Sequence, residues 1–115
     1  MMEGKRNPLF EKADLLAELV YDVTKDFPKH ERYGLTSQLR RAGLSVILNI
    51  IEGFARQGEK EFRRFLIIAF GSLKETKYLL TFAKKQTYMN EEQYTKVFAC
   101  TEDTAKLLWR AIHPK

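Results

Sequence analysis

The 115-residue sequence has few of the residues that special protein classes require. Its single cysteine, Cys100, excludes an internal disulfide, so we expect a reducing compartment, the cytoplasm. Three prolines and six glycines are too few for a collagen-like or linker-rich chain. No apolar run follows the basic residues near the N-terminus, so we expect no secretory signal. Apolar runs such as Val46–Leu48 are far too short to cross a membrane, so we expect one soluble domain over residues 1–115 and no membrane partner.

Residues that hold metals or act as nucleophiles are also scarce. The two histidines, His30 and His113, lie outside any Glu-x-x-His pair of the kind that a di-metal bundle needs. Arg110 lies close to His113, but we interpret this histidine as part of a fraying helix end rather than as a nuclease residue. Cys100 has the setting of a small buried thiol, and no glycine-rich phosphate loop follows a strand. The sequence therefore predicts no enzyme, no cofactor and no metal site.

Hydrophobic periodicity predicts an all-α protein, an antiparallel up-down-up-down four-helix bundle. The predicted helices cover residues 8–27, 36–56, 59–86 and 90–112. Asn7 caps the first helix and Pro8 occupies its first position. The fourth helix opens with the spacing of a capping box at Asn90. Short connections between such helices make sequence neighbours antiparallel.

The net charge of +5 is concentrated in the middle of the chain. Residues 1–28 carry a net charge of −2, residues 29–88 carry +7, and residues 89–115 are neutral. A basic middle segment favours a surface for a polyanion such as RNA or DNA. The alternative is a solvated helix exterior that lysine and arginine keep soluble.

The candidate phosphate-binding residues form two predicted groups at opposite ends of the bundle. The first group consists of Lys29, Arg32, Arg40, Lys74, Lys77, Lys84 and Lys85, and the second of Arg56, Lys60 and Arg63. Spread along a scaffold, these side chains suit phosphate contact without reading of the bases. Tyr33, Tyr78 and Tyr88 are placed either to stack on bases or, as the more usual role, to pack half-buried at the bundle ends.

The second predicted helix is apolar over about twice the arc that a bundle helix usually buries. Its two apolar flanks are formed by Leu39, Gly43, Val46, Ile50 and Phe54 and by Leu44, Ile47, Leu48, Ile51 and Ala55. A subunit interface would cover the second flank, so we expect self-association. The alternative is a helix wrapped on three sides within one chain, which four helices do not easily provide.

Polar side chains of the second and third helices are expected to face one another across a hairpin folded at Gly58. The pairs expected at equal height are Arg41 with Glu75, Glu52 with Arg64, and Ser45 with Gly71. We interpret the two charge pairs as structural, because a partly buried charge must be paired and the pairs would then hold the register of the hairpin. A catalytic role for Glu52 and Glu75 is the less favoured alternative.

The segment FPKHERYGLTSQLRRA of residues 27–42 resembles the bacterial 23S rRNA intervening-sequence protein family of small four-helix bundles. The resemblance continues through SxxxNIxEGF at residues 45–54, EFxRFLxxA at 61–69 and GSxxE at 71–75. The single-residue positions that match the family are Arg41, Ser45, Asn49, Glu52, Gly53, Arg64, Ser72 and Glu75. Gly43 and Leu44 depart from it, since alanine is more usual there.

The resemblance carries expectations about assembly and function. A related branch is the accessory variability determinant of diversity-generating retroelements, a basic, ring-shaped homopentamer that binds nucleic acid and contacts a reverse transcriptase. We therefore expect a homopentamer to which the second helix contributes. The expected function is that of a non-enzymatic, basic oligomer that binds RNA or DNA, mainly through phosphates and with little sequence specificity. The alternative is an adaptor that docks a larger enzyme such as a reverse transcriptase.

Overall fold

The computed structural model describes residues 7–114, which form four α-helices and one short 3₁₀ turn. The helices are α1 (Pro8–Thr24), α2 (Leu35–Ala55), α3 (Glu59–Lys85) and α4 (Glu91–Ile112), and the 3₁₀ turn covers Lys29–Glu31. No β-strand occurs in this part of the chain. The predicted all-α bundle is therefore confirmed. In the same residues, no helix combines the length and the apolar character that crossing a lipid bilayer requires.

The helix starts follow from the capping residues. The backbone N–H of Phe10 donates to Asn7 Oδ1 at 3.1 Å, which satisfies one of the free amides at the start of α1. At α4, the N–H of Gln93 donates to Asn90 Oδ1 at 2.7 Å and the N–H of Asn90 donates to Gln93 Oε1 at 2.9 Å. This reciprocal pair is the predicted capping box. Before α3, Gly58 adopts a φ of 93°, a left-handed conformation that side chains disfavour.

The end of α1 differs from the sequence prediction, because the helix stops at Thr24 rather than at residue 27. The chain turns over residues 25–28, and this turn places the ring of Phe27 in the core. There the ring centroid of Phe27 lies 5.4 Å from that of Tyr88. Burial of a phenylalanine contributes about 1.5–3 kcal/mol, which outweighs the helix propensity of three residues. Pro28 also disfavours a helical conformation at the residue before it.

The other helix boundaries match the prediction or differ from it by one residue. Helix α2 begins at Leu35 and ends at Ala55, one position earlier at both ends, and α3 ends at Lys85 rather than at residue 86. Helix α4 begins at Glu91, because the preceding Asn90 serves as its cap.

The four helices pack in an antiparallel up-down-up-down arrangement, with α1 against α2 and α4, and α3 against α2 and α4. On α3 and α4, for example, Lys77 pairs with Glu102 and Lys84 with Glu91, so residue numbers rise on one helix and fall on the other. The largest fully buried aliphatic side chains come from all four helices: Leu16, Val20, Leu39, Val46, Ile50, Leu66, Leu73, Leu80, Val97 and Leu108. One continuous apolar core therefore runs along the bundle.

Cys100 lies at the edge of this core as a buried free thiol. Its Sγ lies 3.6 Å from the carbonyl oxygen of Lys12 on α1. Burial raises the pKa of the thiol, because the charged thiolate is disfavoured away from water. A thiol that stays protonated is a poor nucleophile, in agreement with the packing role inferred from the sequence.

The contact between α2 and α3 depends on small side chains and on one hydroxyl pair. The hydroxyls of Ser45 and Ser72 lie 2.8 Å apart, and Asn49 Nδ2 donates to Ser45 Oγ at 3.0 Å. About two turns after Ser45 on α2, a Cβ built on Gly53 would lie 3.2 Å from both the Phe62 carbonyl oxygen and the Phe65 Cβ. Glycine at residue 53 therefore lets the two backbones approach closely.

The expected contact of Ser45 with Gly71 is wrong by one residue. Ser72 faces Ser45. Gly71 lies outside the contact between α2 and α3, because a Cβ built there meets nothing within 4 Å. The expected charge pairs also need one correction. Arg41 Nη2 lies 4.0 Å from Glu75 Oε2, but Glu52 and Arg64 do not pair with each other.

Both members of that expected second pair bind partners on their own helices instead. Glu52 pairs with Arg56 one turn later, and Arg64 Nε lies 3.3 Å from Glu61 Oε2 one turn earlier. Residues three or four apart are neighbours on a helix surface. A partner on the same helix is therefore as close as a partner on the facing helix and can replace it. The side chain of Arg64 also lies over the ring of Phe65, which directs it along α3.

We predict opposite effects for alanine at the two α2–α3 glycines. Gly53→Ala is expected to lower the free energy of unfolding by about 1–3 kcal/mol, because the added methyl forces the two helices apart. Gly71→Ala, the matched control, is expected to raise it by about 0.5–1 kcal/mol, because alanine has the higher helix propensity and the site is open. Urea unfolding followed by circular dichroism measures both, and equal stabilisation by both variants would contradict a close approach at Gly53.

Candidate nucleic-acid interface

Two adjoining hollows of about 370 and 520 Å³ open where the chain passes from α1 into α2. They share Arg32, Thr36 and Arg40. The first is also lined by Thr24, Lys25, Phe27, Pro28 and Lys29, and the second by Tyr21, Tyr33, Ser37, Arg41 and Leu44. We call these thirteen residues the corner groove. Five of them are lysine or arginine, and within residues 7–114 no carboxylate lines either hollow, so the groove suits an anion.

Three of the five cations have no carboxylate within 4.0 Å in the described part of the chain, namely Lys29, Arg32 and Arg40. The other two sit at the rim of the groove in exposed pairs. Lys25 Nζ lies 3.7 Å from Asp22, and Arg41 lies 4.0 Å from Glu75. Exposed pairs of this kind are weak, so both rim cations can exchange their partner for a phosphate.

One carboxylate fixes the turn of residues 32–34 that leads into α2. Glu31 Oε1 accepts from the backbone N–H of Leu35 at 2.9 Å, and Glu31 Oε2 accepts from the Tyr88 hydroxyl at 2.9 Å. The amide of Leu35 and then the Tyr88 hydroxyl hold the pKa of Glu31 below its usual value. A Cβ at Gly34 would lie 2.8 Å from Glu31 Oε1, so a glycine there leaves room for the carboxylate. The turn is therefore held to α2 and to the end of α3.

Arg40 is held in place by two groups of α1. Its Nε donates to Thr24 Oγ1 at 2.7 Å, and its guanidinium carbon lies 4.4 Å from the ring centroid of Tyr21. The Thr24 hydroxyl donates its own hydrogen to the Val20 carbonyl at 2.7 Å, which leaves its oxygen to accept from Arg40. A guanidinium whose orientation is already fixed loses less conformational entropy when it binds an anion.

Tyr33 lies in the turn beside these cations, and its ring is 87% exposed. The guanidinium carbon of Arg32 lies 5.4 Å from the ring centroid. Half-buried packing is therefore the wrong interpretation for Tyr33, and also for Tyr78 on α3, which is 65% exposed. Half-buried packing is the correct interpretation for Tyr88, which lies against Phe27 and donates a hydrogen bond to Glu31.

The first predicted cation group is divided by the structure. Lys29, Arg32 and Arg40 line the corner groove, whereas Lys77 and Lys84 pair with carboxylates of α4. Lys77 Nζ lies 2.7 Å from Glu102 Oε2, and Lys84 Nζ lies 2.9 Å from Glu91 Oε1. The remaining two members of the group, Lys74 and Lys85, are exposed on α3 and do not line the groove. The helical spacing of the sequence did not reveal which lysines face the acidic side chains of α4.

The second predicted group, at the opposite end of the bundle, is used largely in packing. Arg56 pairs with Glu52 and lies over the ring of Phe65. Arg63 Nε donates to the carbonyl oxygen of Ile112 at 2.9 Å and so satisfies a free carbonyl at the end of α4. Lys60 is exposed in the first turn of α3. None of these three side chains lines the corner groove.

Sequence reasoning missed several lining residues of the corner groove, chiefly Thr24, Lys25, Thr36 and Arg41. Lys25 belongs to residues 1–28, whose net charge is negative, so the charge distribution gave no reason to select this lysine. Thr24 lies 16 residues from Arg40, and only the antiparallel packing of α1 on α2 joins them. A search for hydroxyl residues next to the predicted helix ends would have found both threonines.

A second exposed feature is the apolar surface of α2. Leu44, Leu48 and Ile51 follow the spacing of one helix face and are 36%, 57% and 39% exposed. We call these three residues the α2 stripe. Ile47, on the same flank, is buried, whereas Ala55 is exposed, so the bundle covers only part of this apolar flank. The excess apolar surface inferred from the sequence is therefore observed.

The side chains that could hold a metal are those of histidine, cysteine, aspartate and glutamate. Within the residues that the structure describes, they form no cluster of three. His113, expected at a fraying end, has its ring centroid 3.8 Å from that of Trp109, so it stacks on the last turn of α4. Glu52 and Glu75, considered as catalytic alternatives, pair with Arg56 and Arg41 at the surface.

Comparison with known proteins identifies a family and similar solved structures. The family model described as 23S rRNA-intervening sequence protein matches residues 5–110. The chain is also similar to a protein of unknown function from the S23 ribosomal protein family of Bacteroides thetaiotaomicron VPI-5482. The two are 26% identical with a TM-score of 0.84, over 90% of this chain and 97% of that chain. No significant similarity to a curated protein is found.

We predict that the turn of the corner groove is most stable when Glu31 is ionised. Because the pKa of Glu31 is lowered in the folded state, its contribution is present above the ordinary value of 4.5 and is lost as the pH falls through the lowered pKa. Glu31→Gln is therefore expected to be less stable than the wild type at pH 7 and to approach it at pH values well below 4.5. Urea unfolding over a range of pH measures this difference.

Tyr88→Phe provides a second measurement of the same contact, because it removes the hydroxyl that donates to Glu31 and leaves the ring in place. This variant is expected to show a weaker pH dependence than the wild type. A stability difference between Glu31→Gln and the wild type that stays constant across the acid range would show that the charge of Glu31 is not what fixes the turn.

Proposed function

The chain belongs to the 23S rRNA-intervening sequence protein family, and we propose that it is a non-enzymatic, basic, oligomeric bundle that binds RNA or DNA mainly through phosphates. The observation that carries this proposal is the corner groove. Five cations and the aliphatic hydroxyls of Thr24, Thr36 and Ser37 meet there, and no carboxylate lines it among residues 7–114. We also propose that the protein acts in the cytoplasm, because its one thiol is free and buried.

The groups in the groove match the chemistry of a phosphodiester. Guanidinium groups such as those of Arg32 and Arg40 donate in pairs to phosphate oxygens, and lysine adds a mobile positive charge. Hydroxyls and amides are the other common donors to the nucleic-acid backbone. Contacts of this kind fix a nucleic acid in position without reading its sequence, which supports binding with little sequence specificity.

Self-association is the second part of the proposal, and the α2 stripe supports it. Three neighbouring aliphatic side chains of α2 remain partly exposed to water in the single chain, and a subunit interface would remove them from it. The homopentamer implied by the resemblance to the retroelement determinant is the assembly that we propose. Leu44 belongs both to the stripe and to the corner groove, so assembly would bring the grooves of neighbouring subunits close to the interface. Repeated grooves multiply the positive field.

A second candidate function is that of an adaptor for a larger enzyme such as a reverse transcriptase. It is supported by a cavity of about 280 Å³ between α3 and α4, whose apolar lining is formed by Phe70, Ala105 and the exposed Trp109. Exposed tryptophan in a groove is typical of protein interfaces. Lys106 and Arg110 at the rim favour an acidic partner surface.

We predict that the affinity for RNA and DNA depends on salt and on the corner groove. Arg32→Glu combined with Arg40→Glu is expected to weaken binding about tenfold or more at low salt. Each lost phosphate contact should also flatten the dependence of log Kd on log salt by about 0.7–0.9. The matched control is Lys60→Glu combined with Lys85→Glu, which makes the same charge change on exposed lysines outside the groove.

Fluorescence anisotropy with a labelled RNA hairpin and a DNA duplex measures both quantities, and circular dichroism checks that each variant is folded. The groove variant is expected to lose much more affinity than the control. Equal loss in the two variants would show that net charge, rather than the groove, is responsible. Weak binding of the wild type that does not change with salt would favour the adaptor.

We predict that an acidic residue in the α2 stripe dissociates the oligomer. Leu48→Asp places a charge where the interface would exclude water, so the variant is expected to run as a single chain of 13.5 kDa, whereas the wild type has the mass of five such chains. Leu15→Asp is the control, because this leucine is also exposed but lies on α1. Light scattering after gel filtration gives the masses, and a wild type of single-chain mass would refute self-association.

A further inference from the structure

We propose that the corner groove takes an unpaired nucleotide, with the base stacked on the ring of Tyr33 and the phosphate bound in the hollow beside it. This inference rests on the proposed nucleic-acid binding and specifies which kind of nucleic acid binds most tightly. The preferred ligand is then a single strand, or the loop of a hairpin, of RNA or DNA. A fully paired duplex binds by its phosphates alone and more weakly.

The first observation is the setting of the Tyr33 ring. It is 87% exposed, and it lies in a turn whose position is set by the hydrogen bonds of Glu31 to Leu35 and Tyr88. The backbone that carries the ring is therefore held in place while the ring itself lies in water, where a base can reach it. Stacking of one base on such a ring contributes about 1–3 kcal/mol.

The second observation is the hollow next to that ring. The hollow of about 370 Å³ has Lys29, Arg32 and Arg40 on its walls, together with the hydroxyl-bearing Thr24 and Thr36. Arg40 is already oriented by its bond to Thr24 and its contact with Tyr21. These are the groups that bind a phosphate, and none of the three cations has a carboxylate within 4.0 Å among residues 7–114.

The third observation is that the Tyr33 ring and the cationic hollow lie next to each other. The hollow lined by Tyr33 and the phosphate hollow share Arg32, Thr36 and Arg40, so an aromatic surface and an anion site lie side by side. A nucleotide has the same two parts, a flat base and a phosphate, joined by one sugar. The groove therefore has room and chemistry for both parts of a single nucleotide.

A paired duplex does not offer a free base face to this ring. In a helix each base is stacked on both sides and its edge is paired, so contact with a tyrosine requires the base to leave the stack, which costs a few kcal/mol. In a single strand or a loop the base is already free, and aromatic side chains take it without regard to sequence. Tyr33 should therefore contribute to the binding of single strands and not to the binding of duplexes.

The test compares Tyr33→Ala with Tyr78→Ala, a matched control that removes another largely exposed tyrosine outside the groove. The probes are an unstructured single-stranded oligonucleotide, in RNA and in DNA form, and a duplex of the same length. Tyr33→Ala is expected to weaken the single-strand complex about five- to a hundredfold and to leave duplex binding and its salt dependence unchanged. Tyr33→Phe, which keeps the ring, and Tyr78→Ala are expected to bind like the wild type.

An oligonucleotide with abasic sites separates the base from the phosphate, since it keeps the backbone charge. The wild type is expected to bind the abasic strand as weakly as Tyr33→Ala binds the intact one, and Tyr33→Ala should lose nothing further on the abasic strand. Thermal unfolding of Tyr33→Ala close to that of the wild type would show that the turn is still folded.

Two sets of results would overturn the inference and are distinguishable from a failure of the proposed function. Equal affinity of the wild type for single strand and duplex, or unchanged single-strand binding in Tyr33→Ala, would overturn base stacking. If the Arg32→Glu and Arg40→Glu pair still weakened binding in that case, the phosphate function would stand. No binding of any probe at low salt would overturn both.

Discussion

The distribution of carboxylates decides which cations of this protein are available to a ligand. On the α3–α4 face, Glu102 and Glu91 lie against Lys77 and Lys84 and neutralise them. At the corner between α1 and α2, the carboxylate of Glu31 accepts instead from a backbone amide and a tyrosine hydroxyl. Because these bonds engage Glu31, the cations Lys29, Arg32 and Arg40 have no carboxylate within 4.0 Å among residues 7–114. The same bonds hold the turn from which the groove is built.

The packing of α2 explains why a small bundle keeps an apolar surface in water. Toward α3, Gly53 and the Ser45–Ser72 pair allow a close approach, and toward α1, Gly43 lies against Val20. With small residues on both contacts, the larger aliphatic side chains of α2 point either into the core or outward. Those that point outward form the α2 stripe, which supports an assembly of several chains.

The sequence was sufficient for the architecture and for most of the helix boundaries, because apolar periodicity and capping residues are local signals. Asn7, Pro8 and the capping box at Asn90 all act where the residues themselves predicted. The end of α1 was misplaced because Phe27 gains more from the core than from the helix. The ion pair expected between Glu52 and Arg64 was wrong because neighbours on the same helix supplied closer partners. The site was predicted only in part, since the bond between Arg40 and Thr24 depends on how α1 and α2 lie in space.

Leu44 lies at the junction of two surfaces, since it lines the corner groove and is also part of the α2 stripe. If another subunit covers the stripe and places its own basic groove beside this one, ligand occupancy and subunit association strengthen each other, and reciprocity makes the factor the same in both directions. Dilution of the protein would then lower its apparent affinity for a nucleic acid even though no contact in the groove has changed. In a cell, the abundance of the chain would thereby set a threshold below which it leaves its ligand unbound.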